Sequence, residues 1–252
     1  MASTRERRRR QLARERWERQ QARRAAVARQ RRMILAIVGA VVLVGGLVVA
    51  LGVWWLPDDD TDASANATDG PCVYTETEPV EGVGLPPAEP VTATTATITL
   101  NGSPVTVELL AEQAPCTVNS LVHLAGTGYF DGTSCHRLAT SETLRVLQCG
   151  DPTATGGGGG PGYEFGLENV DGATYEAGTV AMARRADDPD SNGSQFFLVY
   201  EDSELPPDYT VFGRITDGID VLTQVAEAGT ENGSTDGAPA EPVTIDSLVT
   251  EP

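Results

Sequence analysis

Ala96-Thr97-Ile98-Thr99-Leu100-Asn101-Gly102-Ser103-Pro104-Val105-Thr106-Val107-Glu108-Leu109 carries the plainest structural signal in the chain. Ala96, Ile98 and Leu100 alternate with threonines, and Val105, Val107 and Leu109 alternate with polar residues. A period of two puts the apolar set on one face of an extended strand. Between the two runs, Asn101-Gly102-Ser103 supplies a turn. The spacing predicts a β-hairpin with one buried face.

The pattern continues downstream in short pieces. Pro115 to Gly126 sets Val118, Leu121, Val122 and Ala125 at helical spacing, with Gly126 as a stop. Apolar runs around Leu138, Leu147, Val180, Phe196 and Val211 follow, separated by turn residues. Such spacing suggests a barrel or sandwich. Asp217 opens a second predicted helix carrying Ile219, Val221, Leu222 and Val225, and Val243 to Val249 reads as a last strand. The result is a mainly β domain with two helices over residues 93–252.

Upstream, residues 57–92 are acidic and Pro-rich and read as a linker extended by self-repulsion. Residues 33–56, MILAIVGAVVLVGGLVVALGVWWL, carry no charge and are long enough to cross about 30 Å of hydrocarbon as a helix. Residues 1–32 hold thirteen Arg and three Glu, whereas the rest of the chain holds five Arg and 33 acids; there is no Lys. This asymmetry predicts a single-pass anchor in the cell membrane, with an Arg-rich cytoplasmic segment and the acidic domain outside. A cleaved signal peptide fits less well, because the apolar run exceeds a usual signal core. Nucleic acid is not an expected partner of the basic block; the lipid bilayer, contacted through 33–56, is.

Cys72, Cys116, Cys135 and Cys149 all fall on the predicted outer side. An even count in an oxidising compartment suggests two disulfides, and four cysteines allow three pairings. No C-x-x-C or C-x-x-H spacing is present, so neither a metal nor a cofactor is expected. Asp188 to Gly193 starts like a calcium loop, but Val199 stands where the closing Glu would be.

Seven segments, in order, resemble the cyclophilin family. Ala114 to Leu121 is similar to its first helix, and Gly128 to Arg137 (GYFDGTSCHR) to its "YDGTxFHR" strand. Gln148 to Pro152 resembles "QGGDP", Gly156 to Phe165 the Gly-rich loop, and Thr179 to Ala183 "xLAMA". Asn192 to Phe197 is the family's NGSQFF, and Val211 to Ile215 resembles "VFGxV". The resemblance implies a closed eight-stranded antiparallel barrel capped by two helices, here preceded by the transmembrane helix. It also implies peptidyl-prolyl cis/trans isomerisation of proline-containing polypeptide clients.

That reaction must break amide resonance, a barrier of about 18–20 kcal/mol. It needs neither nucleophile nor metal, only a site that binds the twisted amide better than either planar form. By the resemblance, Arg137 hydrogen-bonds the prolyl nitrogen as it regains its lone pair, Gln148 orients the Arg or the substrate carbonyl, and Gln195 bonds the substrate backbone. Phe197 and Met182 form the proline socket with Leu205 and Tyr209, and Ala183 leaves room for a substrate strand. Arg184 takes the position of a family Asn. Counting back from Gln148, a pocket Phe falls on Arg145 and a Met on Val146, unless Leu144 slides into the socket; a Trp falls on Glu204 or Leu205, and a His on Tyr209. These departures predict a less apolar, partly remodelled socket, compatible with weaker turnover, an altered substrate preference, or a proline-peptide-binding module or scaffold with little or no catalysis. The family comparison also suggests a Cys135–Cys149 bridge beside the catalytic pair, with Cys72–Cys116 as the other. Strict strand alternation opposes the first, since Arg137 and Gln148 should share a face with Cys135 but not with Cys149.

Overall fold

The hairpin forms as the alternation requires. β2 (Thr95–Leu100) and β3 (Ser103–Leu109) pair antiparallel with Ile98 opposite Val105, and Asn101 and Gly102 turn the chain at φ +46° and +81°. Their inward residues Ile98, Leu100, Val105 and Val107 are buried. A computed structural model describes residues 71–156 and 159–252. The expected membrane span at 33–56 and the Arg-rich segment at 1–32 lie outside the described residues, as do residues 57–70. Among the described residues no helix is long and apolar enough to cross a membrane.

The remaining elements are β1 (Thr75–Glu76), α1 (Pro115–Gly126), β4 (Thr133–Ser134), β5 (Arg137–Ser141), β6 (Leu144–Cys149), β7 (Tyr163–Glu164), β8 (Thr179–Met182), β9 (Phe196–Val199), β10 (Val211–Asp217), α2 (Ile219–Ala228), β11 (Asp236–Gly237) and β12 (Thr244–Glu251). Ten of the strands make one antiparallel sheet in the order β11-β5-β6-β9-β8-β10-β3-β2-β12-β4, and β1 pairs separately with β7. This corrects the expected closed eight-stranded barrel. The sheet is curled and carries two more strands, and its edges do not hydrogen-bond to each other. The curl brings its ends together through the chain itself: only Cys135 and His136 separate β4 at one edge from β5 beside the other.

Pro115 opens α1, and no side chain at its N-cap satisfies the free amides. Glu168 does so from a distant loop, accepting from Cys116 N at 3.0 Å and Thr117 N at 2.8 Å. A carboxylate there answers both the unpaired donors and the helix dipole.

Both faces of the sheet are apolar around β5, β6, β8 and β9. Leu138, Leu147, Val180, Phe196 and Leu198 join the main core. Ala139, Val146, Ala181, Phe197 and Val199, on the opposite face, form a second cluster with Tyr175 and Val211. That is why β8 and β9 are buried along their whole length and, Thr179 apart, read as apolar runs.

The last part of the predicted linker, 71–92, is not free chain. Cys72 is bonded to Cys116, Tyr74 is buried, and Asn119 on α1 donates to Tyr74 Oη and to Pro87 O while accepting from Val91 N. The folded unit therefore already includes Cys72, rather than starting at residue 93. Its irregular backbone finds partners in α1, which composition alone does not reveal.

Candidate active site

Register places the key polar groups. Arg137 on β5 lies opposite Gln148 on β6, and Gln148 lies opposite Phe197 on β9. Arg137 Nη1 donates to Gln148 Oε1 at 3.1 Å, and Gln148 Nε2 donates to Gln195 Oε1 at 2.9 Å. The three residues expected to act together thus form one chain of hydrogen bonds. From β11, Asp236 accepts from Arg137 Nε at 2.8 Å and Nη2 at 2.7 Å. The paired carboxylate raises the guanidinium's already high pKa, and the guanidinium holds the Asp236 carboxyl below its ordinary range. An arginine offers five N–H donors in a fixed plane, and these contacts leave one on each terminal nitrogen. The Arg137 side chain stays 38% exposed, so a substrate can reach it.

A cavity of about 620 Å³ opens beside this group. Arg137, Gln148, Ala183, Arg184, Phe197, Leu205 and Tyr209, all named from the sequence, line it. Met182 does not; its β8 neighbour Ala181 pairs with Phe197, while Met182 pairs with Phe196 and points into the main core. Leu144 and Val146 supply apolar wall from β6. Arg145, between them, turns away to pair with Glu201. The socket is therefore apolar in spite of that arginine.

Tyr209 is held firmly. Its ring meets Phe197 edge-on at 5.5 Å, and its backbone N and O both bond Tyr175 Oη at 3.0 Å. The Arg184 guanidinium lies 5.4 Å from the Tyr209 ring centroid, bonded to Asp208 O at 2.6 Å. Arg184 thus backs the aromatic wall as well as lining the cleft.

Both disulfides form, Cys72–Cys116 and Cys135–Cys149. The sidedness conflict disappears because the strand is interrupted. Cys135 belongs to neither β4 nor β5; its N–H bonds Val243 O, and its side chain enters the main core while Arg137 faces the cleft. The pleat is reset across Cys135-His136.

Sequence reasoning missed Asp236, and His136 as a cleft residue. Asp236 lies far along the chain in a short turn-like segment, and nothing local distinguishes it. His136 is adjacent to Arg137, and among the described residues neither of its ring nitrogens has a hydrogen-bond partner. Burial pushes its imidazole below the ordinary 6.5, Asp151 pulls it back up, and Arg137 adds to the depression.

The family described as cyclophilin type peptidyl-prolyl cis-trans isomerase/CLD matches residues 95–250. A probable peptidyl-prolyl cis-trans isomerase B of Mycobacterium tuberculosis is 45% identical over 179 residues, covering 66% of this chain and 57% of that protein. Its Mycobacterium leprae counterpart is 46% identical over 178 residues, covering 66% and 59%. The chain thus spans less than two thirds of the length of these mycobacterial relatives. Peptidyl-prolyl cis-trans isomerase B of Bacillus subtilis is 39% identical over 122 residues, covering 48% of this chain and 81% of that protein. Among solved structures, a Cryptosporidium parvum cyclophilin type isomerase superposes with a TM-score of 0.54 at 28% identity, over 63% of this chain and 99% of its own; that crystal was studied in the presence of the dipeptide Ala-Pro. On the match of well over half its length, the chain belongs to the cyclophilin-type peptidyl-prolyl cis-trans isomerase family.

Proposed function

We propose that this protein is a peptidyl-prolyl cis-trans isomerase that acts on proline-containing segments of polypeptides in the cleft between Arg137 and Phe197. The observation that carries this reading is the hydrogen-bonded series Asp236–Arg137–Gln148–Gln195: its first three members line a cavity with Phe197, Leu144 and Tyr209, and Gln195 lines the adjoining cavity that Gln148 also borders. The proline ring enters the apolar side. As the amide twists, its nitrogen regains a lone pair, and the preorganised guanidinium donates to it; such donors, facing charge as it develops, are a large catalytic contribution. Gln148 and Gln195 hold the substrate backbone while the bond turns.

The domain works outside the membrane, on exported proteins, held by the span at 33–56. The uncharged run with its basic flank supports this, as do two disulfides, which persist in oxidising compartments. One observation favours a second reading, a proline-segment binder with little turnover: Asp236 already occupies two of the guanidinium's donors.

A protease-coupled assay on the full-length protein, with disulfides intact, separates the two. Isomerisation that is abolished in Arg137→Ala supports the enzyme. Binding of proline peptides with no rate enhancement in the wild type supports the binder.

A further inference from the structure

Residues 71–80 precede the stretch that the family comparison matches, yet they help to build a cavity next to the proline cleft. This second cavity, about 350 Å³, is lined by Thr77 together with Gly160, Ser191 and Gln195. It shares Gln148, Gly156, Ala183 and Arg184 with the first, so the two are continuous, whereas Thr77 lines only the second.

Thr77 is fixed by the chain on either side of it. β1 pairs with β7, and Thr77 N donates to Gly162 O at 2.9 Å. The chain passes so close to Gly162, at φ +91°, that a Cβ there would stand 3.0 Å from Val80 N. Upstream, the Cys72–Cys116 disulfide and the buried Tyr74 fasten the segment to α1. A wall held in this way is formed before any ligand arrives, which lowers the ordering cost of binding.

The chemistry of the cavity is polar and internally neutralised. Its two arginines are engaged, Arg185 with Glu164 and Asp188, and Arg184 with Asp208 and backbone carbonyls. What remains is hydroxyl, amide and peptide groups, suited to a peptide backbone and an uncharged polar side chain.

We propose that the 71–80 strap is a substrate-binding wall, through which the protein holds an extended segment carrying an uncharged polar residue beside the proline instead of a prolyl dipeptide alone. The identity of the ligand rests on the isomerase reading; the length dependence does not require turnover.

The test uses the full-length protein with two labelled probes: a capped Ala-Pro dipeptide, and a single-proline peptide of about ten residues with Ser and Gln flanking the proline. Binding is read by titration and prolyl exchange by NMR. The wild type should bind the long probe at least roughly tenfold more tightly. Thr77→Arg places bulk on the strap side. Gly160→Leu places it on the loop side, where a Cβ meets nothing within 4 Å among the described residues and the backbone is outside the left-handed region. Both should remove the advantage of the long probe and leave the dipeptide unchanged. Long-probe affinity kept at the wild-type level in Thr77→Arg overturns the proposal, whatever Gly160→Leu does. Equal weakening of both probes, or no length preference in the wild type, overturns it as well. Length-dependent binding with no catalysed exchange sinks the isomerase reading and leaves the strap's role standing.

Discussion

Asp236 grips Arg137 by two parallel contacts, Nε to Oδ1 and Nη2 to Oδ2, across 99 residues of chain. Fork-to-fork pairing fixes the plane of the guanidinium as well as its position. Asp236 touches no reacting atom in this scheme; it is a positioning residue. Asp236→Ala should lower kcat on the order of tenfold while KM moves little, because misplacing a catalytic donor costs rate. Asp236→Glu should recover part of the loss. A proportional rise in KM would show instead that the pair serves binding. Arg137→Lys keeps the charge but loses the planar fork, and should lose about 10²-fold or more of turnover.

The two disulfides should separate by function. Loop-closure entropy assigns about 4 kcal/mol to Cys72–Cys116, which closes 44 residues, and about 3 kcal/mol to Cys135–Cys149, which closes 14. Paired Cys→Ala variants should lose stability in that order in denaturant titrations. Activity should follow the opposite order, because Cys149 adjoins Gln148 and Cys135 lies two residues from Arg137. Turnover in the Cys135/Cys149 variant equal to that of the Cys72/Cys116 variant would show that the inner bridge does not hold the catalytic pair.

The parts of this arrangement that were legible in the sequence are those written in local pattern. Alternation at Ala96 to Leu109 gives the hairpin, and the helical spacing of Val118, Leu121 and Val122 gives α1. Arg137, Gln148 and Phe197 follow from ordered motifs, and the register then brings them together. Met182 was misplaced because a motif names residues without their phase, and phase follows from the pairing of Ala181 with Phe197. Asp236 and Thr77 were invisible for another reason. Each reaches the site through a two-residue strand whose partner is distant in sequence, and so short a strand carries no periodicity.

His136 makes stability depend on pH. Its imidazole is held below 6.5, so between the folded and unfolded values the unfolded chain binds more protons. Stability should therefore be full above about pH 6.5 and fall as the pH drops below it. Thermal melts at about pH 7.5 and about pH 5.5 should show a larger loss in the wild type than in His136→Gln. Identical losses would mean that other groups set the acid limb.

Gly150 tests how closely the exit of β6 must approach β9. At φ +87°, a Cβ on Gly150 would lie 2.2 Å from Ser194 O and 3.1 Å from Gln195 Cα. Neither neighbour is a flexible side chain; both are backbone, and Ser194 Oγ already donates to Gly150 O at 2.7 Å. Gly150→Ala should cost about 3 kcal/mol or more and lower kcat by shifting Gln195. Gly126→Ala is the contrast: the last residue of α1 has open space around a new Cβ and an ordinary φ, so it should gain about 0.4–1 kcal/mol with turnover unchanged. If both alanines behaved alike in denaturant titrations, the contact between Gly150 and Ser194 would not be what sets the spacing of the two strands.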